Sequence, residues 1–183
     1  LLGKEHAVAL LQTGCKVILT DIVEKDLDKT KEELSKDWDL SDIYIHKMDV
    51  TKQDDVEDVS KSILESGLHV DILINNASIN PKINKGSKPD SGTRLEDFDL
   101  NQWHQEISVG LTGAFICSKT FGSLMAKKET GGVILNIASD LSVIAPDQRL
   151  YFDKNKSFSE QQVKPVTYSV VKTGLIGLTR YLS

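Results

Sequence analysis

Tyr168 and Lys172 stand four residues apart in Val166-Thr167-Tyr168-Ser169-Val170-Val171-Lys172. If this segment is helical, positions i and i+4 share a face and lie within reach of each other. An ammonium held beside a phenol favours the phenolate. A phenol placed this way can move a proton near neutral pH, which is general acid–base chemistry. Upstream, Asn136-Ile137-Ala138-Ser139 closes a predicted strand, where the Ser139 hydroxyl can hold a substrate oxygen for that transfer. The chain has four tyrosines and many lysines, so one such pair arises readily by chance. Alone, it suits a surface-facing helix better. What decides is whether the other elements build a nucleotide site directed at Tyr168.

Those elements alternate. Apolar spacing predicts a helix over 3–14 stopped by Gly14, then a buried strand over 16–20 ending at Asp21. A polar helix over 24–36 leads to a strand over 43–48 that runs into Asp49-Val50. A helix over 53–66 stops at Gly67, and a strand over 70–74 enters Asn75-Asn76-Ala77. Next come a polar loop over 81–97, a long helix over 100–127 capped by Asp99, and a strand over 133–138. A second long connection, 140–164, precedes the closing helix, which begins near Pro165. Strand–helix alternation of this kind indicates an α/β domain with a parallel sheet.

In doubly wound sheets, ligands bind at the carboxyl ends of strands. Asp21 lies 18 positions after Gly3, near the ~20 between a glycine turn and the acid that binds a ribose 2′-hydroxyl. A carboxylate there accepts from hydroxyls and repels a 2′-phosphate, which favours NAD over NADP. An Asp after a strand also serves simply as a turn residue. Asp49 can accept from an adenine amino group with Val50 against the ring, and Asn75-Asn76-Ala77 lets a cofactor approach closely.

Taken in order, Asp21, Asp49-Val50, Asn75-Asn76-Ala77, Asn136-Ile137-Ala138-Ser139 and Tyr168-Ser169-Val170-Val171-Lys172 resemble the short-chain dehydrogenase/reductase family along essentially the whole chain. The resemblance implies a Rossmann-like, doubly wound parallel sheet in three α/β/α layers. It further implies one NAD(P)-binding domain over 1–183, a fragment without its first strand and its C-terminal strands. Such a segment is expected to fold poorly alone. By resemblance, Tyr168 is the acid–base, Lys172 supports it and binds the nicotinamide ribose, and Ser139 positions the reacting oxygen. Asp21 and Ile22 would contact the adenosine ribose, and Asp49 and Val50 the adenine. Asn76 and Ala77 would line the cofactor path. Gly3 looks like the last glycine of the phosphate loop, with Leu2 beside it and Leu1 where many members carry another glycine.

The chain departs from the family in places. The family's helical Val-Asn-Leu-Thr-Gly reads Val109-Gly110-Leu111-Thr112-Gly113 here, so the helix irregularity and relay water tied to that Asn lose their anchor. Ser78 replaces the Gly of Asn-Asn-Ala-Gly. Ser139 and Tyr168 are 29 positions apart, and the inserted 147–164 is expected to form a lid or rim over the substrate.

A net charge of −5 without a basic stripe argues against nucleic-acid binding. No apolar run near ~18 residues is evident, so no membrane span is expected. Cys15 and Cys117 lie far apart, which suits a reducing, cytoplasmic setting. The four histidines lack ligand spacing, so no metal site is expected. Lys82, Lys85, Lys88, Asp147 and Arg149 favour a hydrophilic, sugar-like small-molecule substrate, and the insertion is similar to oxidoreductases of bacterial surface-glycan or flagellin-modification clusters. The resemblance implies a homodimer or homotetramer through helices 100–127 and 166–183. Two other readings stand beside the dehydrogenase: an epimerase or dehydratase that retains NAD, and a non-catalytic nucleotide-binding regulator.

Overall fold

The computed structural model describes residues 2–79 and 92–183, and the chain forms two compact units that divide between Val70 and Asp71. In the first unit, α1 (Leu2–Gln12) buries Ala7 and Leu11, four residues apart on one face. It stops where Gly14 takes φ +80, a left-handed conformation open to glycine, and the Gly14 and Cys15 amides donate back to the Leu11 and Leu10 carbonyls. β1 (Val17–Asp21) and β2 (Ile43–Lys47) pair in parallel, from Val17 opposite Ile43 to Asp21 opposite Lys47. Parallel pairing needs a crossover. It is supplied by α2 (Glu24–Leu34), which buries Leu27 and Leu34 and turns its charged residues outward. α3 (Gln53–Glu65) buries Val56, Val59 and Ile63 at i, i+3 and i+7. Ala7, Leu11, Val17, Leu34 and Ile43 form one buried cluster with Trp38 against it.

In the second unit, β3 (Ile72–Asn75) and β4 (Val133–Asn136) also pair in parallel, Ile72 opposite Val133 and Asn75 opposite Asn136. Two helices pack on this pair, α4 (Leu100–Met125) and α5 (Val166–Leu182). Asp99 caps α4, its Oδ1 accepting from the Gln102 amide at 2.9 Å. Strand-end amides tie the layers together. Asn75 Nδ2 donates to Asn136 Oδ1 at 2.8 Å and to Ser118 Oγ at 3.1 Å, and Asn136 Nδ2 donates to Thr179 Oγ1 at 2.9 Å.

α4 is not regular. It carries π-helical turns at Ser108–Thr112 and Ser118–Gly122. The first contains buried Gly110, so the irregularity persists without an amide side chain there, against the expectation from the glycine. Gly110 also lies close against the neighbouring helix: a Cβ built on it would lie 2.6 Å from Val171 Cγ1. On α5, a Cβ on Gly174 would lie 2.7 Å from Leu111 Cδ2. Each helix therefore offers a notch that a side chain of the other fills.

By length and composition alone, α4 is apolar enough to cross a membrane. Ser, Thr, Gly and Lys119 interrupt its apolar run, so the sequence pattern alone shows no span there. Within this unit Ile116, Cys117 and Phe121 of α4 are buried.

The 140–164 connection is built from short 3₁₀ turns at Asp140–Ser142, Gln148–Tyr151 and Phe158–Glu160. Gln161 closes its outer part, accepting from the Asp153 amide and donating to the Asp153 and Lys156 carbonyls. Arg94 places its guanidinium 4.6 Å from the Phe158 ring centroid and donates to the Phe158 carbonyl. Leu1, Lys82, Lys85 and Lys88, named above, lie outside the described residues, as does most of the 81–97 loop.

Candidate active site

The first unit carries its candidate residues at helix and strand ends. Leu2 and Gly3 form the first turn of α1, where helix geometry leaves amides without intrahelical acceptors, a setting that suits a phosphate. Asp21 ends β1 with its side chain exposed, its Oδ1 accepting from the Val23 amide at 2.9 Å; Ile22 beside it is exposed too. Asp49 is more committed. Its Oδ1 accepts from the Thr51 hydroxyl at 2.7 Å and the Thr51 amide at 3.0 Å, with the Lys52 ammonium 3.7 Å from Oδ2. The Thr51 hydroxyl, foremost, holds the Asp49 carboxyl below the usual carboxylate range. Asp49 is thus a turn residue in its own right, and Val50 follows it half-buried.

In the second unit, Asn76 and Ala77 follow the end of β3, half-buried and exposed respectively. Tyr168 and Lys172 share a face of α5 as their spacing predicts, with Lys172 Nζ 5.7 Å from the Tyr168 ring centroid. Lys172 is only 5% exposed and donates to the Ile137 carbonyl at 2.6 Å. Burial pushes its ammonium below the ordinary lysine value. The end of β4 therefore anchors the cation of α5. Ser139, two residues beyond Ile137, caps the 140–142 turn: its hydroxyl donates to Asp140 Oδ1 at 2.7 Å and accepts from the Leu141 amide. The Asp140 carboxyl is held low, foremost by that hydroxyl. To meet a substrate oxygen, the Ser139 hydroxyl must leave Asp140.

Two charged groups here are not marked by any sequence motif. Lys164 places Nζ 3.9 Å from the Tyr168 ring centroid. Glu106, 3% exposed on α4, accepts from the Thr167 hydroxyl and, through Oε1, from Gln102 Nε2 at 2.8 Å. Thr167 is fully buried and adjoins Tyr168, so this pair fastens the first turn of α5 to α4. Glu106 and Thr167 are 61 positions apart, and no local pattern joins them. Lys164 precedes Tyr168 by four residues, but Pro165 caps the helix at Val166, so helical same-face spacing does not extend to it. Cys117 is chemically quiet, its thiol pushed up to about 11 by burial.

The sequence profile described as short chain dehydrogenase matches residues 2–151, ending before Tyr168. An uncharacterized oxidoreductase of Thermotoga maritima is 34% identical over 184 residues, covering 100% of this chain and 60% of its own length. A 2-dehydro-3-deoxy-D-gluconate 5-dehydrogenase of Dickeya dadantii is 28% identical over 191 residues, covering 100% of this chain and 60% of its own length. A solved short chain dehydrogenase from Bacillus anthracis superposes with a TM-score of 0.77 at 26% identity, over 98% of this chain and 63% of that one. The chain thus spans less than two thirds of each of these three.

Proposed function

The chain belongs to the short-chain dehydrogenase family and has its Rossmann-like α/β fold, and on that premise we propose that it serves a nicotinamide-dependent oxidoreductase acting at an alcohol or carbonyl carbon. The observation that carries this is the Tyr168–Lys172 pair, with its buried ammonium anchored on the Ile137 carbonyl.

Each unit carries residues of the kinds that take up part of a dinucleotide. Asp21 presents an exposed carboxylate suited to vicinal ribose hydroxyls, and Ile22 offers apolar surface beside it. In the first unit Val50 would meet the adenine and Leu2 and Gly3 the phosphates; in the second, Asn76 and Ala77 would allow close approach. Lys172 would hold the nicotinamide ribose. When bound, the nicotinamide accepts or gives the hydride. In the oxidation direction, Tyr168 takes the alcohol proton at its phenolic oxygen while Lys172 holds positive charge nearby. Ser139 fixes the substrate oxygen once its hydroxyl turns from Asp140. In reduction, Tyr168 returns the proton.

The carboxylate of Asp21 favours NAD, since a 2′-phosphate brought to it meets like charge. Asp21→Ser is expected to weaken NADH roughly tenfold and to tighten NADPH, as read by calorimetric titration of the full-length protein. An unchanged ratio of the two affinities would remove Asp21 from cofactor choice.

The substrate class we favour is a sugar acid or polyol. The Dickeya relative's name describes a sugar-acid activity, and Asp147 and Arg149 put a bidentate ion pair on the exposed insertion. Reduced-cofactor absorbance, followed over a polyol and sugar-acid panel and over a steroid and fatty-acyl panel, tests it. Turnover on the apolar panel alone would overturn the substrate class. NADH binding without turnover on either would replace the enzyme by a nucleotide-binding regulator. The free thiols of Cys15 and Cys117 suit a cytoplasmic setting, and the α4 stripe Thr112, Phe115 and Lys119, exposed here, suits pairing with a second copy.

A further inference from the structure

We propose that Lys164 is a second cation for Tyr168, a positioning residue delivered by the insertion that acts on the phenol through its ring face. The inference rests on the Tyr168 acid–base reading above.

Lys172 holds its Nζ 5.7 Å from the ring centroid and is bonded to the Ile137 carbonyl. Lys164 Nζ is nearer, 3.9 Å from the same centroid, within the range of a cation–π contact. A ring face attracts a cation through its quadrupole, and a phenolate spreads further negative charge onto that ring. The contact is therefore stronger for the ionised form, and this difference, unlike mere packing, assists proton transfer.

The surroundings hold Lys164 in this place. Its amide donates to Gln148 Oε1 at 2.7 Å, which ties it to the 148–151 turn of the insertion. Pro165 follows, buried, with φ −57 at the start of α5. Burial lowers the Lys164 ammonium from its ordinary value, and the buried Glu106 carboxylate of α4 acts against that. Among the described residues, the charged groups here include Lys172 on the same helix and Lys164 from the insertion at the ring, Glu106 of α4, which acts on Lys164, and Asp140 in the turn whose Ser142 carbonyl accepts from Thr173 of α5. The insertion thereby supplies a charge to the proton-transfer step in addition to any part it plays at the rim.

The test compares Lys164→Met, which keeps the apolar stem, with Lys164→Arg in the full-length enzyme. In alcohol oxidation, the limb on which kcat/KM rises with pH is expected to move up by roughly 0.4 to 1.5 pH units in Lys164→Met. Below that limb kcat/KM falls by roughly 3- to 30-fold, and Lys164→Arg keeps the original position. Circular-dichroism melting checks the fold, with Lys164→Gln in reserve if the Met variant does not fold. A fall in kcat/KM that is equal at every pH would mean a structural role and overturns the proposal. Phenolate absorbance, titrated as the difference between the parent and Tyr168→Phe, reads the same coupling without turnover. If it shifts on Lys164→Met while no substrate turns over, the coupling stands and the dehydrogenase reading fails. If turnover is present and neither limb nor absorbance moves, Lys164 has no such role.

Discussion

Tyr168→Phe is expected to lower kcat/KM for alcohol oxidation by roughly 10² to 10⁴-fold, the range of a positioned general acid–base. NADH affinity should stay within a few-fold, because the ring remains for Lys164 and the Lys172–Ile137 bond is untouched. Titration calorimetry beside stopped-flow turnover separates the two effects. Tyr168→Phe turnover near the parent rate would place the proton transfer elsewhere. The pH profile carries a second signature. Burial depresses the Lys172 ammonium, so it loses its proton at lower pH than an exposed lysine does. Oxidation should therefore decline on the alkaline side beginning below the ordinary lysine range. Lys172→Met should remove the activity that this decline is measured on.

Gly110→Asn is expected to damage the protein rather than to repair a missing amide. The new Cβ would stand 2.6 Å from Val171 Cγ1, and Val171 is β-branched and 3% exposed, so it cannot swing aside. Overpacking of this kind costs about 1–3 kcal/mol. Val171 directly precedes Lys172, so the displacement reaches the site and turnover falls with stability. Val171→Ala opens the space and alone costs roughly 1–3 kcal/mol as a cavity. Combined, the two should be less harmful than their sum, with a coupling on the order of 1 kcal/mol or more in thermal melts and a partial return of kcat/KM. Strict additivity would show that Gly110 and Val171 do not share one space.

Elements with a clean period were legible in the sequence. The helix over 53–66, the Asp99 cap and the Gly14 stop each rest on contacts within a few residues, and the structure keeps them. Bounds drifted where a polar residue could join either side: the strand read from Val70 begins at Ile72, and that read to Ala138 ends at Asn136. Family membership was legible because strand-end residues recur in a fixed order. What stayed hidden was long-range. The burial of Glu106 and its bond to Thr167 depend on two helices meeting, and so does the Val171 side chain in the Gly110 notch. A π turn shifts the helical period by one residue, too little to disturb an apolar pattern interrupted by Ser and Gly.

That one residue has a consequence for how this chain can change in length. A π turn is an extra residue accommodated inside a helix. α4 holds two such turns, and both begin between Glu106, which binds Thr167, and Ser118, which binds Asn75, or at Ser118 itself. Deleting one residue from the first would let the helix run regularly there and keep Glu106 and Ser118 on the faces they now use. The same deletion from a regular turn would rotate one end against the other by about 100° and take Glu106 from the start of α5 or Ser118 from the strand end. Shortening by one residue is therefore open at the π turn, whereas substitution at Gly110 is closed by Val171.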